Sequence, residues 1–402
     1  MTPLEPHGKN GGAGVVATAL VRHLAVLAPD LEISLLTARA SHAELASLDA
    51  PNVRRKCVVG KPAPRSPLSR LADRLLPAPT HVRLKHTYWS LRTSRKYARV
   101  AEDLGSVLLL CPFTIPHFWQ AGVPCIAVVY DLQHLTYPEF FTPEQRLNRW
   151  RHIQDACARS DRVVCISDYV RSTLLASSDI SPERVVTIRL GLLQEFRDAA
   201  GPSVERLGLR RGGYLVYPAN FWPHKNHTML LEALRIHRYA HPESQLKLVC
   251  TGAPNPLMDT LQGVAQELLP PGAVVFTGYV PEAALGTLLD ACAAVIFPSL
   301  YEGFGMPVLE AMSHGKPVLC SDVTSLPEVA GDAAIYFDPK QPRQIASAID
   351  ALADVPRITD LVRRGRQRAA AMGTGRDMAE RYLALMREVM AADPRETCSA
   401  SQ

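Results

Sequence analysis

Two glutamates eight residues apart, Glu302 and Glu310, bracket the run Gly303-Phe304-Gly305-Met306-Pro307. The chemistry open to such a stretch is recognition of a sugar phosphate. Gly303 and Gly305 let the backbone approach a ligand closely, and a helix opening at Pro307 turns unpaired N–H groups towards an anion. On this reading the helix runs from Val308 to Ser313 and stops at Gly315. Glu310 then sits in its first turn, with Glu302 on the loop ahead. One carboxylate can accept hydrogen bonds from ribose hydroxyls, the other from hydroxyls of a second sugar across the diphosphate. Each part also has an ordinary explanation: an acid in a first turn suits the helix dipole, and a Gly-x-Gly loop is often only a turn. Their combination directly after an apolar strand favours a ligand site.

The elements that must position these groups alternate along the whole chain. Strand-like runs fall at Glu32–Leu36, Ser106–Leu110, Cys125–Val129, Arg162–Ile166 and Val185–Ile188, then at Tyr214–Tyr217, Leu246–Cys250, Ala273–Phe276, Ala294–Phe297, Pro317–Cys320 and Ala334–Phe337. Helical stretches such as Met229–Tyr239, Pro281–Ala291 and Gln344–Ala353 lie between them. Continuous aliphatic strands separated by helices predict parallel sheets covered on both faces, an α/β doubly wound pattern seen twice. The segment Gly191–Gly213 is the expected linker. In such sheets ligands bind beyond the carboxyl ends of the strands, where these motifs fall.

At 402 residues the chain exceeds one ordinary core, so two domains are expected. With 47% apolar and 21% charged residues it has the balance of a soluble globular protein. A net charge of +5 is modest and calls for no nucleic-acid partner. Its distribution is uneven: between Pro51 and Val100 stand thirteen Lys/Arg against the single acid Asp73. That stretch reads either as a peripheral contact with anionic membrane or as a solvated face. The nine cysteines are odd in number and form no CxxC pair, which fits buried free thiols in a reducing cytoplasm. No apolar run nears membrane-spanning length.

The stretch Pro298-Ser299-x-x-Glu302-Gly303-Phe304-Gly305-x-Pro307-x-x-Glu310-Ala311-Met312-x-x-Gly315-x-Pro317-Val318 resembles the signature of the retaining GT-B glycosyltransferases called group 1. The resemblance implies two Rossmann-like domains facing across a cleft: residues 1–195 on the acceptor side, 196–375 holding the nucleotide-sugar donor, and a helix over 376–393 crossing back. It implies that Glu302 contacts the donor sugar near its reacting carbon and that Glu310 binds the ribose. Backbone N–H groups around Phe304, Gly305 and Met306 would hold the phosphates. In "YPANFWPHKNHTMLLEAL", Lys225 matches the family lysine that neutralises the departing diphosphate, a transition-state role. The family's arginine five residues earlier is here Asn220, and His224 is a candidate donor in its place. Tyr279 and Val280, after "VVFTG", match the backbone that meets the nucleobase. In "VVYDLQHLTYPEFF" the family's His-Asp is here Tyr130-Asp131, with His134 close behind; Asp131 would serve the acceptor hydroxyl and His134 the donor sugar.

Near the start, "HGKNGGAGVVATALVRHLA" places Gly12 in a glycine-rich helix opening that this fold would aim at the phosphates and acceptor. The strand expected ahead of it is missing, since residues 1–10 hold two prolines and no apolar run. A sheet without that central strand would be hard to stabilise. With no Asp-x-Asp and no His/Cys ligand spacing read in the sequence, neither metal nor other cofactor is expected.

The expected function is a cytoplasmic, retaining, metal-independent hexosyltransferase that builds surface polysaccharide such as O-antigen. GDP-mannose is the expected donor, and a glycan or polyprenyl-diphosphate-linked glycan the acceptor. Peripheral association with the inner membrane face, through residues 51–100, would suit that acceptor. Two rivals remain: a sugar-nucleotide epimerase on the same scaffold, and a non-catalytic sugar-nucleotide-binding protein. Nucleotide release that depends on an acceptor separates them.

Overall fold

The computed structural model describes residues 11–59, 100–193 and 204–392. Most of the basic stretch, and the ten residues ahead of Gly11, lie outside the described residues. The chain divides into two compact units, one of residues 1–193 with 374–402 and the other of residues 194–373.

The second unit is built on one six-stranded sheet. Its strands are β7 (Tyr214–Pro218), β8 (Lys247–Thr251), β9 (Val274–Gly278), β10 (Ala294–Phe297), β11 (Val318–Ser321) and β12 (Ile335–Phe337), in the spatial order 12-11-10-7-8-9. Every pairing is parallel. β10 reads Ala-Val-Ile-Phe with all four residues buried, as expected of a strand covered on both faces. Helices α4 (His227–Ala240), α5 (Pro256–Leu268), α6 (Glu282–Ala291), α7 (Met306–Ser313), α9 (Pro342–Asp350) and α10 (Val355–Met372) connect or flank the strands, with a short α8 (Leu326–Ala330) after β11. From β7 the chain winds outward through β8 and β9, then returns to β10 on the other side of β7. The loops after β7 and β10 therefore lie at the reversal point, the place where open sheets of this kind bind ligands.

The first unit has a divided sheet. β3 (Leu109–Cys111), β4 (Cys125–Val129), β5 (Arg162–Cys165) and β6 (Val185–Thr187) form one parallel sheet, while β1 (Ile33–Ala38) and β2 (Val53–Val59) form a separate parallel pair. Among the described residues β1 pairs only with β2 and β3 only with β4. Between β1 and β3 lies a largely apolar cavity of about 420 Å³, walled by Val21, Leu35, Leu109, Phe113, Phe118 and Met386. No described strand lies between β1 and β3.

Helix α1 (Gly11–Leu27) is held at its C-terminus by Asn52, whose Nδ2 donates to the carbonyls of Ala25, Ala28 and Leu31 at 3.0–3.2 Å. α2 (Pro143–Arg159) opens with a Thr142/Gln145 capping box, and α3 (Asp168–Ser177) with the Ser167 cap expected from sequence. The last helix, α11 (Gly375–Ala391), packs on α1 and bonds to β5 through Arg162 and Glu388 at 2.7 Å.

β2 was not foreseen, because Arg54, Arg55 and Lys56 make it look like a solvated loop. It is an outer strand, where such charges deter further pairing. Arg55 is bound bidentately by Asp49, at 2.7 and 2.8 Å, and Arg54 faces Glu32 at 3.6 Å. These two arginines are paired within the fold.

Candidate functional site

Backbone and side-chain hydrogen bonds lock the loop after β7 to the loop after β10. The buried Tyr217 hydroxyl donates to the Lys225 carbonyl at 2.6 Å and meets Ser299 Oγ at 3.2 Å. The Leu300 N–H donates to the His224 carbonyl at 2.8 Å. Asn226 turns the chain into α4 in the left-handed region, φ 61°, and its Nδ2 donates to the carbonyls of Pro298 and Pro339 at 3.0 and 2.8 Å. Asparagine tolerates that conformation best among residues with a Cβ.

This lock brings together the two side chains that sequence reasoning ranked first. Lys225 Nζ donates to Glu302 Oε1 at 2.6 Å, with the two side chains only 15% and 12% exposed. The ammonium also lies 5.2 Å above the centre of the Phe297 ring. A pair this sheltered is held by strong attraction, and an incoming phosphate can compete for the ammonium while a hydroxyl takes the carboxylate.

Two residues that sequence reasoning missed hold Glu302 in place. Its N–H donates to Thr324 Oγ1 at 3.1 Å, and Ser325 Oγ bridges the carbonyls of Glu302 and Phe304 at 3.0 and 2.9 Å. Thr324 adopts φ 57°, a costly conformation for a β-branched residue. Nothing in the local sequence signals this. The Phe304 side chain is buried, so only its backbone faces the loop. Gly305 takes φ 105° as the cap of α7, and a Cβ there would come within 2.6 Å of Leu326 Cδ2. The N–H groups of Val308 and Leu309 close back on the Gly305 carbonyl, so Gly305 and Met306 supply the N–H groups at the helix opening.

The helix starts at Met306, one residue ahead of the expected opening at Pro307, so Glu310 lies beyond the first turn. The helix dipole therefore gives no sufficient reason for a carboxylate there. Glu310 is half-buried, and desolvation, with repulsion from Glu282, pushes its carboxyl up to about 7.

Asn220 accepts a hydrogen bond from the Ala253 N–H at 2.9 Å, which ties the β7 loop to the β8 loop. Its amide N–H₂ is what it can offer a ligand. Gly278, at φ 71°, turns the chain after β9, and the following Tyr279 is 72% exposed. Its neighbour Val280 is half-buried. His227, beside Lys225, is buried against Tyr217 and Phe221 at ring separations of 4.6 and 4.9 Å. Burial, with Lys225 nearby, pushes it down to about 3, so it is neutral.

In the other unit, Asp131 and His134 follow β4. Asp131 Oδ1 accepts from the Gln133 N–H at 3.0 Å and pairs with Arg149 at 3.2 Å, a partner the sequence did not point to. His134 is buried 6.3 Å from the Trp150 ring, and neither ring nitrogen has a partner among the described residues. Desolvation lowers its pKa despite Asp131, so it too is held neutral. Gly12 lies in the first turn of α1, and no described atom comes within 4 Å of where a Cβ would stand.

Comparison with known proteins agrees in both units. Residues 208–370 match the family model described as Glycosyl transferases group 1, and residues 10–192 match that of Glycosyltransferase Family 4. The O-antigen chain mannosyltransferase B of Escherichia coli is 29% identical over 267 residues, covering 65% of this chain and 66% of that protein. The serotype-specific mannosyltransferase WbdA of the same species is 32% identical over 204 residues, but the match spans only 24% of its length. Among solved structures, Anabaena Alr3699/HepE in complex with UDP and glucose superposes with a TM-score of 0.70 at 16% identity, covering 95% of this chain and 97% of that one. Sucrose-phosphate synthase from Thermosynechococcus elongatus gives 0.68 at 20% identity, covering 95% and 94%. Residues 208–370, which hold the Lys225–Glu302 pair at the sheet's reversal point, thus match the glycosyl transferases group 1 family, residues 10–192 match the Family 4 model, and the chain has the GT-B fold.

Proposed function

We propose that this chain transfers a mannosyl group from GDP-mannose to a hydroxyl of a glycan, free or polyprenyl-diphosphate-linked, in surface polysaccharide assembly. The observation that carries the reading is the sheltered Lys225–Glu302 pair beside the opening of α7. The mannosyltransferase relatives, which include RfbU of Salmonella typhimurium at 24% identity, support the choice of sugar. A neighbouring structure holds UDP and the relatives' names specify a sugar and no base, so guanine is this proposal's own choice.

On donor binding, the Lys225 ammonium passes to the diphosphate and Glu302 accepts hydroxyls of the sugar. The N–H groups of Gly305 and Met306 face phosphate oxygens, and Glu310 accepts from the ribose. As the bond from the anomeric carbon to the phosphate oxygen breaks, charge grows on the diphosphate. A fixed ammonium and aligned N–H groups stabilise it there more than in the ground state. The acceptor oxygen bonds to the same face, and its proton passes to the departing phosphate oxygen. Configuration is thereby retained without an enzyme nucleophile or a metal. Asp131 is assigned to orienting the acceptor hydroxyl, and neutral His134 to a hydrogen bond with the donor sugar. Asn220 and His224 supply donors near the phosphates, Tyr279 and Val280 flank the base, and Gly12 belongs to the acceptor-side loop.

No helix among the described residues is long and apolar enough to cross a membrane. We assign the reaction to the cytoplasmic membrane face, with residues 51–100 as the peripheral contact. The test is GDP release from GDP-mannose with and without a mannose-terminated acceptor. Release only with acceptor supports transfer. Acceptor-independent conversion of the sugar nucleotide indicates epimerisation, and tight binding without turnover indicates a binding protein.

A further inference from the structure

Away from the Lys225–Glu302 pair, two imidazoles and a carboxylate converge on one point. His237 lies in the last turn of α4, and His241 follows one turn on, its N–H bonded to the His237 carbonyl at 2.9 Å. Asp350 ends α9, which packs along α4 but lies 113 residues from His237 in sequence. His237 Nδ1 and His241 Nε2 stand 2.6 and 3.2 Å from the same oxygen, Asp350 Oδ1, and the three atoms lie within 4.8 Å of one another.

From this geometry we propose that His237, His241 and Asp350 form a binding site for a divalent transition-metal ion of the zinc class. Three donors at zinc bond lengths around a tetrahedral ion stand about 3.3 Å apart, so small side-chain shifts admit the ion. Two imidazoles with one carboxylate suit zinc, cobalt or nickel and not magnesium or calcium. His237 is almost fully buried, and its other ring nitrogen, Nε2, meets Ser244 Oγ at 3.1 Å. Without an ion Nδ1–H donates to Asp350; on binding, the proton moves to Nε2, where Ser244 Oγ can accept it, which frees the Nδ1 lone pair for the ion as outer-shell partners of metal-bound histidines do. His241 and Asp350 are 44% and 40% exposed, so an ion can enter and water can complete its shell.

The site has no part in the transfer step. His237 stands ten residues along α4 from His227, about 15 Å at 1.5 Å per residue. An ion here clamps the end of α4 to α9 and fixes the loop leading into β8. His237 and His241 do stand at a helical ligand spacing, contrary to the expectation from sequence, and the third ligand, from a distant helix, could not be read there.

The test is titration of the untagged, chelator-treated full chain with Co²⁺, read by d–d absorption in the visible and by thermal unfolding. The expected result is one tightly held ion per chain, a four-coordinate spectrum and a raised Tm, reproduced by Zn²⁺. His241→Ala, an exposed position that the fold tolerates, removes the spectrum and the metal-dependent part of the Tm. Its loss of affinity should at least match the ~10–100-fold typical for removing an outer-shell partner. Asp350→Asn gives the same loss while keeping a hydrogen-bonding side chain. Both variants keep the wild-type response to GDP. No cobalt band, or a band and Tm shift that survive His241→Ala, overturns the proposal and leaves a His–Asp hydrogen-bonded pair.

Discussion

The two units solve the same architectural problem with different completeness. In residues 194–373 a single six-stranded sheet places β7 and β10 side by side, and the loops leaving them are locked by Tyr217, Asn226 and the Leu300 N–H. In the first unit the described strands fall into two sheets, and β1 and β3 have no pairing with each other beside a cavity of about 420 Å³. Preorganised chemistry appears where the sheet is continuous. Where it is divided, Asp131 leans on an exposed arginine and His134 has no partner among the described residues.

The sharpest way to test that contrast is to disarm the continuous sheet's site. Lys225→Met should lower turnover by about 10³-fold or more, as removal of a preorganised charge donor does, with a smaller change in donor affinity. It also strands the Glu302 carboxylate, destabilising the fold by about 2–4 kcal/mol. The double variant Lys225→Met/Glu302→Gln should recover much of that stability and none of the activity. Denaturant unfolding of the single and double variants, beside GDP-release assays, checks both halves.

Glu310→Gln is the next largest. Losing a charged acceptor for the ribose costs about 1.5–3 kcal/mol, or 10–100-fold in GDP affinity. The same residue predicts a pH effect. Its folded value of about 7 lies above the ordinary 4.5, so the folded state keeps a proton that the unfolded chain has shed. That contribution is whole below about pH 4.5 and falls away as pH rises through 7, by about 3 kcal/mol in all. Glu310→Gln should flatten this part of the stability–pH curve. Because the ribose needs the carboxylate, GDP affinity should rise across the same window, with the opposite sign.

Gly305→Ala sharpens the argument at the helix opening. It combines an unfavourable φ with a contact against the fully buried Leu326, and should cost about 2 kcal/mol and weaken GDP binding. The smallest effects separate the units themselves. Amides of β1 and β3 should exchange with solvent faster than those of β7 and β10, and GDP should slow exchange most in the loops after β7 and β10. Equal protection of β1, β3, β7 and β10 would erase the comparison.

Much of the continuous unit was legible in its sequence. Ala294–Phe297 and Tyr214–Tyr217 are uninterrupted apolar runs, so their strands, and the motif loops that follow, could be placed directly. Lys225 and Glu302 carry enough local pattern to be chosen singly, and parallel winding predicts that their loops are neighbours. What escaped reading depends on contacts distant in sequence. Thr324 and Ser325 support Glu302 through hydrogen bonds that no spacing encodes. The start of α7 moved because Met306, with no special signature, takes the first helical position after a left-handed glycine. Strand β2 was hidden by Arg54, Arg55 and Lys56, since an outer strand carries charge that an inner one excludes.

The most direct measurement is an NMR time course of GDP-mannose with a mannose-terminated acceptor, comparing the wild-type chain with Lys225→Met. The account predicts stoichiometric GDP and a product whose new anomeric centre keeps the α configuration of the donor, both lost in the variant. A β-linked product, sugar-nucleotide conversion without acceptor, or full activity in Lys225→Met would contradict it.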